Sequence, residues 1–453
     1  MKARRKAAVR CTKLVYKIIR NTGQGNGTSL PGCAARLLAP EILADLSGMV
    51  REKTIVTMGT NGKTTSNNLM CKALEDAGKK VVCNRLGANM PNGIITAYAL
   101  AAAADGSLDA DYACLEVDEL AAASVLPLLK PDCILLTNIF RDQLDRYGEP
   151  DLICQKLKAA IDSVPDAVLV INGDDIFSCT LAGECRNPRI VYGINEAAFA
   201  QDDAAGTCDS LFCRSCGHRL TYLFHHYGHL GVYHCPGCGM SRPLPAYTAS
   251  DICFDADACS FSLNGYRMTA RIRTAYSIYN TLSAYAALCG AGADTAHFAE
   301  AVRDFDYGNN REAEFLINDT LIRLYLIKNP IGLQLKFALL QKDPAPKDIL
   351  LLINDNAQDG MDVSWLWDVD FGSLHTANTA SVIAAGLRRY DVELRLKYEE
   401  IPCRVSNDPE ASVEALLESG SKNLYILVNY SGLYRTKRML QNLANAREGG
   451  TQA

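Results

Sequence analysis

The sequence predicts an α/β protein: a parallel sheet with helices on both faces, interrupted by a cysteine ribbon, then a smaller Rossmann-like α/β domain. Three observations predict it. From Lys53 onward, short apolar runs alternate with helical patterns. The stretch Thr54-Ile-Val-Thr-Met-Gly-Thr-Asn-Gly-Lys-Thr-Thr65 reads as strand, glycine turn and helix start. Two Cys-x-x-Cys pairs break the alternation between residues 200 and 250.

At 453 residues the chain has room for two or three domains. Its net charge of −5 argues against a nucleic-acid groove as the main feature. The start of the chain departs from that balance: Lys2, Arg4, Arg5, Lys6, Arg10, Lys13, Lys17 and Arg20 occur with no acid among them. Interleaved apolar residues form no signal-peptide core, so this reads as a solvated basic helix or as an arm near an anionic membrane surface. Ala97–Ala104 is far too short to span a bilayer. The 18 cysteines are scattered through apolar runs, which fits a reducing cytosol and not a disulfide framework. A turn-broken lead-in follows the arm at Leu30-Pro-Gly-Cys33 and Ala39-Pro40.

The strands expected next lie at 53–58, 79–83, 111–116, 132–137 and 167–171, with helices at 63–77, 91–104 and 150–161. Gly59 and Gly62 let the backbone turn around an anion, with Thr60 and Asn61 between them, and Lys63, Thr64 and Thr65 open the helix. Backbone N–H groups and the positive helix end converge there. Lys63 would reach the outer phosphates of ATP, and the Thr64 hydroxyl would join a Mg²⁺ shell. The general phosphate loop has a further glycine where this chain has Thr57. Ligands of such sheets sit at the carboxyl ends of strands. Glu116, Asp118 and Glu119 end one strand, where a carboxylate suits Mg²⁺ or its waters. Leu136-Thr-Asn-Ile-Phe-Arg-Asp-Gln-Leu-Asp-Arg-Tyr-Gly148 and Val170-Ile-Asn-Gly-Asp-Asp175 end two more. Taken singly, each could be a strand-end cap.

Cys213/Cys216 and Cys235/Cys238 have the spacing of a closed, structural four-thiolate Zn²⁺ site, each pair being followed by Gly217 or Gly239. His218, His225, His226, His229 and His234 keep a mixed Cys/His site open; a redox pair is a further alternative, and Cys208 is a spare thiol. Asn264-Gly265 predicts a hairpin turn. A helix follows from Tyr276 to Ala287. The last domain has strands at 320–327, 347–353, 379–383 and 422–428, and helices near 331–341, 409–419 and 431–446. Between the second of these strands and its successor, Asp355, Asp359, Asp362 and Asp368 crowd beside Trp365 and Trp367, more than a plain solvated loop requires.

The loop Gly59-Thr-Asn-Gly-Lys-Thr-Thr65 resembles that of the Mur ligases, which build the peptide stem of bacterial cell wall. So do Thr137-Asn-Ile139, with Gln143 where most of that family has His, and the Asn172-Gly-Asp-Asp175 turn. In the same resemblance Asn280 meets adenine, Ser277 replaces a partner Asn, and Arg311-Glu312 continue a linker, which places Arg311 among the nucleotide-binding residues. The inserted ribbon, Lys328-Asn-Pro-Ile-Gly332 and Asp359-Gly-Met-Asp-Val-Ser-Trp-Leu-Trp-Asp368 are similar to the MurT family, the ligase subunits of lipid II isoglutaminyl synthase. The likeness runs from about residue 30 to 445.

That resemblance implies a cytoplasmic enzyme, with the basic arm at the inner face of the membrane where lipid II resides. It implies ATP-dependent amidation of the D-glutamate α-carboxylate of the lipid II stem peptide to D-isoglutamine, through an acyl phosphate. Ammonia would come from a GatD-type glutaminase in a heterodimer; no Cys nucleophile with a positioned His is visible in this chain. It implies that an Asp of the last domain orients the partner's catalytic His, for which Asp362 is the choice and Asp359 and Asp355 the alternatives. Glu116 would serve the Mg²⁺ and the phosphoryl transfer. The alternatives are a non-catalytic ATP-binding scaffold for a glutaminase and a Mur-type amino-acid ligase acting on another carboxylate. The expected division is arm and lead-in at 1–45, ATP domain at 46–305 with the ribbon at 205–245, and last domain at 306–453.

Overall fold

The computed structural model describes residues 2–22, 27–142, 145, 148–197, 210–254, 258–272, 274–307, 312–356 and 358–448. They fall into two units, one comprising the described residues within Met1–Phe140, Pro150–Gln201 and Ser210–Tyr307, the other those within Arg141–Glu149 and Gly308–Ala453.

The first unit is organised around strand β1 (Lys53–Met58), which lies inside a nine-stranded sheet. The other strands are β2 (Val81–Cys83), β3 (Tyr112–Glu116), β4 (Cys133–Leu136), β5 (Val168–Asn172) and β6 (Arg189–Ile194). After the two-stranded hairpin β7 (Thr221–Tyr227) and β8 (Leu230–His234) come β9 (Tyr247–Phe254), β10 (Cys259–Leu263) and β11 (Tyr266–Ala270). The sheet order is β11-β10-β9-β6-β5-β4-β1-β3-β2, and β1 pairs in parallel with both β3 and β4. Helices cover both faces, so β3 and β4 are buried throughout and their sequences read as unbroken apolar runs. The hairpin β7–β8 leaves the sheet after β6, and β9 returns to pair in parallel with β6, which makes the ribbon an insertion. Asn264 and Gly265 both have positive φ, 48° and 88°, and close β10 onto β11 as the two-residue turn requires.

The basic arm is a docked helix, neither a free solvated one nor a dangling arm. Helix Lys2–Thr22 buries Ala8, Val9 and Thr12. Lys13 donates to the Leu100 carbonyl at 2.9 Å and Arg10 to that of Ala104 at 3.0 Å. The Leu100 carbonyl lies in the last turn of helix Pro91–Ala101, where the dipole is negative and the last C=O groups lack partners, and Ala104 is in the turn just beyond it. The lead-in, expected as turns, forms helices Leu30–Leu38 and Ile42–Ser47. Proline at the start of the first is compatible with a helix, and Gly32 sits so close that an added Cβ would lie 1.9 Å from the Asn92 carbonyl. Among the described residues no helix is long and apolar enough to cross a membrane.

The second unit has strands β12 (Glu312–Ile317), β13 (Thr320–Leu326), β14 (Lys347–Leu352), β15 (Thr379–Ala385), β16 (Arg404–Val405) and β17 (Asn423–Val428). Their order is β12-β13-β17-β14-β15-β16, with only β12 antiparallel. One face packs Phe337, Leu351, Phe371 and Tyr425, the other Leu350, Leu352, Ile426 and Leu440. Alternate residues of β14 thus serve opposite cores, as the strand period dictates.

His226, in β7, is 1 % exposed, and burial, with the Arg242 guanidinium second, pushes its pKa down to about 4. As pH falls from about 6.5, the unfolded chain takes up a proton that the folded ring refuses. Stability present above that pH is lost down to about pH 4, by on the order of 3 kcal/mol. His226→Phe should flatten this part of the urea-midpoint profile; an unchanged acid slope would show that other groups carry it.

Candidate active site

The loop between β1 and helix Lys63–Asp76 is shaped by two glycines in left-handed backbone, Gly59 at φ 116° and Gly62 at φ 85°. A Cβ on Gly59 would fall 2.4 Å from Thr137 Oγ1, and one on Gly62 would fall 2.1 Å from Asn280 Oδ1, so neither position accepts a side chain. Lys63 pairs with Glu119 at 2.7 Å, both side chains under 10 % exposed, and also donates to the Gly59 carbonyl. Burial alone would lower the Lys63 pKa, but Glu119, Glu116 and Asp118 outweigh it and raise the net value. Thr64 Oγ1 donates to Glu116 Oε2 at 2.5 Å, and Asn89 donates to Glu116 Oε1 at 2.9 Å. The loop lysine and its neighbouring hydroxyl thus meet two strand-end carboxylates. Thr65, in the first turn of the helix, is buried, and Thr60 and Asn61 are held by Asn138 and Phe140.

That hold comes from the segment after β4. Asn138 Oδ1 accepts from Asn61 N at 2.9 Å and its Nδ2 donates to Asn61 O at 3.1 Å. Thr60 N donates to Asn138 O at 2.8 Å, and Phe140 N donates to Thr60 Oγ1 at 2.9 Å. On the far side, Ile139 N donates to Asp175 Oδ2 at 2.8 Å. The strand-end motifs of the sequence are therefore one connected structure. Asn280 reaches the same place from helix Ala275–Gly290, and Ser66 donates to its carbonyl at 3.2 Å. Ser277 bonds Thr274 at the helix start, 3.0 Å between hydroxyls. Asn84 and Asn89, which position Glu116, escaped sequence reasoning; the signal available was an Asn/Gly-rich strand end.

In the ribbon, the ligand atoms of Cys213, Cys216, Cys235 and Cys238 lie within 4.8 Å of one another. Each pair forms a tight knuckle: Gly217 N donates to Cys213 O at 2.9 Å and Gly239 N to Cys235 O at 3.0 Å, with Gly217 and Gly239 at positive φ. Four thiols converging on one point fit a tetrahedral metal ion better than a disulfide exchanger. No histidine joins that group. His229 instead lies in the β7–β8 turn, 0 % exposed, with Nε2 2.9 Å from Asp175 Oδ1. Arg242, just past the ribbon, donates to Asp174 Oδ1 at 2.5 Å, and Tyr279 donates to Asp174 Oδ2 at 2.5 Å. The two aspartates of the Asn172-Gly-Asp-Asp175 turn thus anchor the insertion, a role the sequence did not disclose.

In the second unit the acidic loop is tied down residue by residue. Asp359 Oδ1 accepts from Ser431 N at 2.7 Å, where helix Tyr430–Glu448 begins; its Oδ2 is buried with no partner among the described residues. Asp362 Oδ1 accepts from Ser364 N at 2.8 Å, at the start of the turn Ser364–Asp368. Asp355 faces Arg388 at 3.3 Å, and Asp368 faces Arg141 at 3.4 Å. Met361 N donates to Asp145 at 2.8 Å, and Lys328 pairs with Asp142 at 2.6 Å. Trp365 packs against the core, whereas Trp367 is 49 % exposed, edge-on to Tyr398. The two tryptophans thus hold the loop differently, Trp365 through the core and Trp367 through Tyr398 and Arg395. Gln143, Cys208, Asn309, Asn310 and Arg311 lie outside the described residues.

A family model described as the Mur ligase middle domain matches residues 56–226, and one described as MurT ligase C-terminal matches 326–433. The chain is 30 % identical over 445 residues to the lipid II isoglutaminyl synthase (glutamine-hydrolyzing) subunit MurT of Staphylococcus aureus (strain COL), covering 98 % of both chains. Against the subunit of that name from Streptococcus pneumoniae (strain ATCC BAA-255 / R6) it is 29 % identical, covering 92 % of this chain and 93 % of the other. Among solved structures, a pseudomurein peptide ligase type C from Methanothermus fervidus superposes with TM-score 0.68 at 18 % identity, covering 89 % of this chain and 81 % of that one. MurF from Acinetobacter baumannii gives 0.63 at 12 %, covering 92 % and 81 %. The structural likenesses speak for the fold.

Cys235→Ser should remove one thiolate from the set and leave the ribbon without its metal, since binding and local folding are one event. The expected outcome is loss of about one metal equivalent per chain and faster proteolysis within 213–238, read by elemental analysis and limited digestion. A metal-free wild-type protein with a protease-resistant ribbon would refute it.

Proposed function

The chain belongs to the MurT family of Mur-type ligases, and from that premise we propose that it amidates the D-glutamate α-carboxylate of the lipid II stem peptide to D-isoglutamine with ammonia. The single observation that carries the reading is the strand-end constellation of Lys63, Thr64 and Glu116 around a two-glycine loop, in a chain whose near-full-length relatives bear that activity in their names. The acceptor carboxylate takes the γ-phosphoryl group of ATP and becomes an acyl phosphate; ammonia then displaces phosphate. Lys63 and the N–H groups of residues 59–65 gather the charge that develops on the transferred group. To do so Lys63 exchanges Glu119 for phosphate, which its long stem allows. Thr64 and Glu116 would hold Mg²⁺, an ion that shields phosphate charge, and the pair already stands 2.5 Å apart. The four cysteines would hold Zn²⁺ in a closed structural site.

Ammonia comes from a GatD-type glutaminase subunit, and the partner's catalytic His is oriented by Asp362. What supports Asp362 is its freedom. Asp359 is buried against a helix start and Asp355 is paired with Arg388, while Asp362 spends one oxygen on its own turn and stays partly exposed.

Lys63→Met alone would strand Glu119 in a dry site, at a cost of about 3–5 kcal/mol. The informative variant is therefore Lys63→Met with Glu119→Gln. It should melt within a few degrees of wild type yet lose ammonium-driven amidation by about a hundredfold or more. Turnover within threefold of the Glu119→Gln control would sink the loop assignment.

Asp362→Asn in the complex should cut glutamine hydrolysis by about three orders of magnitude and leave amidation fed with ammonium unchanged. Glutamate release and lipid II amidation, measured side by side, decide it. Equal loss in both assays would place Asp362 in folding or ligation, and loss in neither would shift the role to Asp359 or Asp355.

A further inference from the structure

We propose that His229 and Asp175 form a positioning pair that holds the ATP loop from the ribbon side, so that the inserted hairpin is a working part of the nucleotide site. The inference rests on residues 54–65 being the ATP loop. Asp175 uses both oxygens. Oδ2 accepts from Ile139 N at 2.8 Å, and Oδ1 accepts from Phe177 N at 2.9 Å and faces His229 Nε2 at 2.9 Å. A carboxylate only accepts, so Nε2 carries the proton. The His229 ring is 0 % exposed and lies between Phe140 and Phe177, with centroids 4.5 and 5.1 Å away.

Ile139 stands between the two residues that clamp the loop. Asn138 binds Asn61 through both atoms of its amide, and Phe140 N donates to Thr60 Oγ1 at 2.9 Å. The Asp175–Ile139 bond fixes the peptide from which both clamps extend. Phe177 N and the Ser178 hydroxyl already hold Asp175 at the start of helix Ile176–Glu184, and His229 adds the bond that ties this carboxylate to the hairpin. Losing His229 would not detach the hairpin, because Gly231 N donates to Asp174 O at 3.1 Å and Arg242 stays on Asp174. The effect of His229 is therefore separable from that of the ribbon as a whole. A loop displaced by even a fraction of an ångström loses much of its hold on a phosphate.

The test uses the full chain, ATP with Mg²⁺, calorimetry, and amide hydrogen exchange. His229→Asn is too short to reach Asp175, whereas His229→Gln can place an N–H near Nε2. His229→Asn should weaken ATP binding about tenfold or more and speed exchange at the Thr60 and Asn61 amides, leaving β5 amides unchanged. His229→Gln should bind within about threefold of wild type. Affinity within twofold for folded His229→Asn overturns the proposal, and so does equal loss in both variants, which would indicate packing alone. Should His229→Asn fail to fold, Asp175→Asn keeps the shape and is judged by the same criteria. Lys63→Met with Glu119→Gln is the control. If it binds ATP normally, the loop assignment falls and this proposal with it; if it binds poorly while the His229 variants bind well, only this proposal falls.

Discussion

Lys63 and Glu119 lie 2.7 Å apart with almost no access to water, and much of the first unit exists to make that contact tolerable. An ammonium in a dry site is costly unless several acceptors surround it. Here they come from the loop itself, through Gly59 O, and from the end of the strand beside β1, where Glu116, Asp118 and Glu119 follow in close succession. The parallel pairing of β1 with β3 brings Thr57 opposite Glu116 and so sets the two strand ends side by side. Sheet register, not local sequence, delivers the carboxylates to the loop.

The elements legible in the sequence were those whose burial imposes a period. β1, β3, β4 and β5 were within a residue or two of their bounds because nearly all their residues are buried and each has an apolar centre, such as Ile55-Val56 or Ile134-Leu-Leu136. Helix Lys63–Asp76 was equally plain from its glycine start. Short or half-wet pieces were not: the edge strand β12 alternates partly exposed residues, β16 has two residues, and helix Arg389–Tyr398 buries only Val392, Arg395 and Leu396. The docked N-terminal helix was unreadable for a related reason. Its cations looked like a solvated or membrane-facing charge, and only tertiary contact shows that Lys13 satisfies a carbonyl at the end of another helix and Arg10 one in the turn beyond it.

For the candidate site the sequence supplied residues but not their connections. Glycines and lysine follow a local code, and the four cysteines another, so both were recoverable by spacing. Asn138, Asp175 and His229 lie far apart in the chain and carry no motif that links them; a hydrogen bond between residues 54 positions apart leaves no trace in local pattern. In the second unit the four loop aspartates were alike on paper. They differ in the structure because a helix start claims Asp359, an arginine faces Asp355, another arginine faces Asp368, and Asp362 serves only its own turn.

An inserted ribbon is ordinarily a burden on a sheet protein, since the chain must leave and re-enter without disturbing the strand order. Here the return is made by β9 pairing in parallel with β6, and the exit and return are both held by the Asp174–Asp175 turn at the end of β5. That turn lies at the carboxyl edge of the sheet, the edge from which the loop of residues 59–65 also springs. A metal held by the four cysteines would stiffen this small ribbon. Stiffness at one end of a hydrogen-bonded chain matters only if the chain is short and dry, and this one meets both conditions. From His229 to Asn61 it passes through Asp175, Ile139 and Asn138, where His229, Asp175 and Ile139 are wholly buried and Asn138 nearly so. Water is excluded from the bonds among His229, Asp175 and Ile139, which retain the directional force that a surface bond loses, while the link from Asn138 to Asn61 is half-buried.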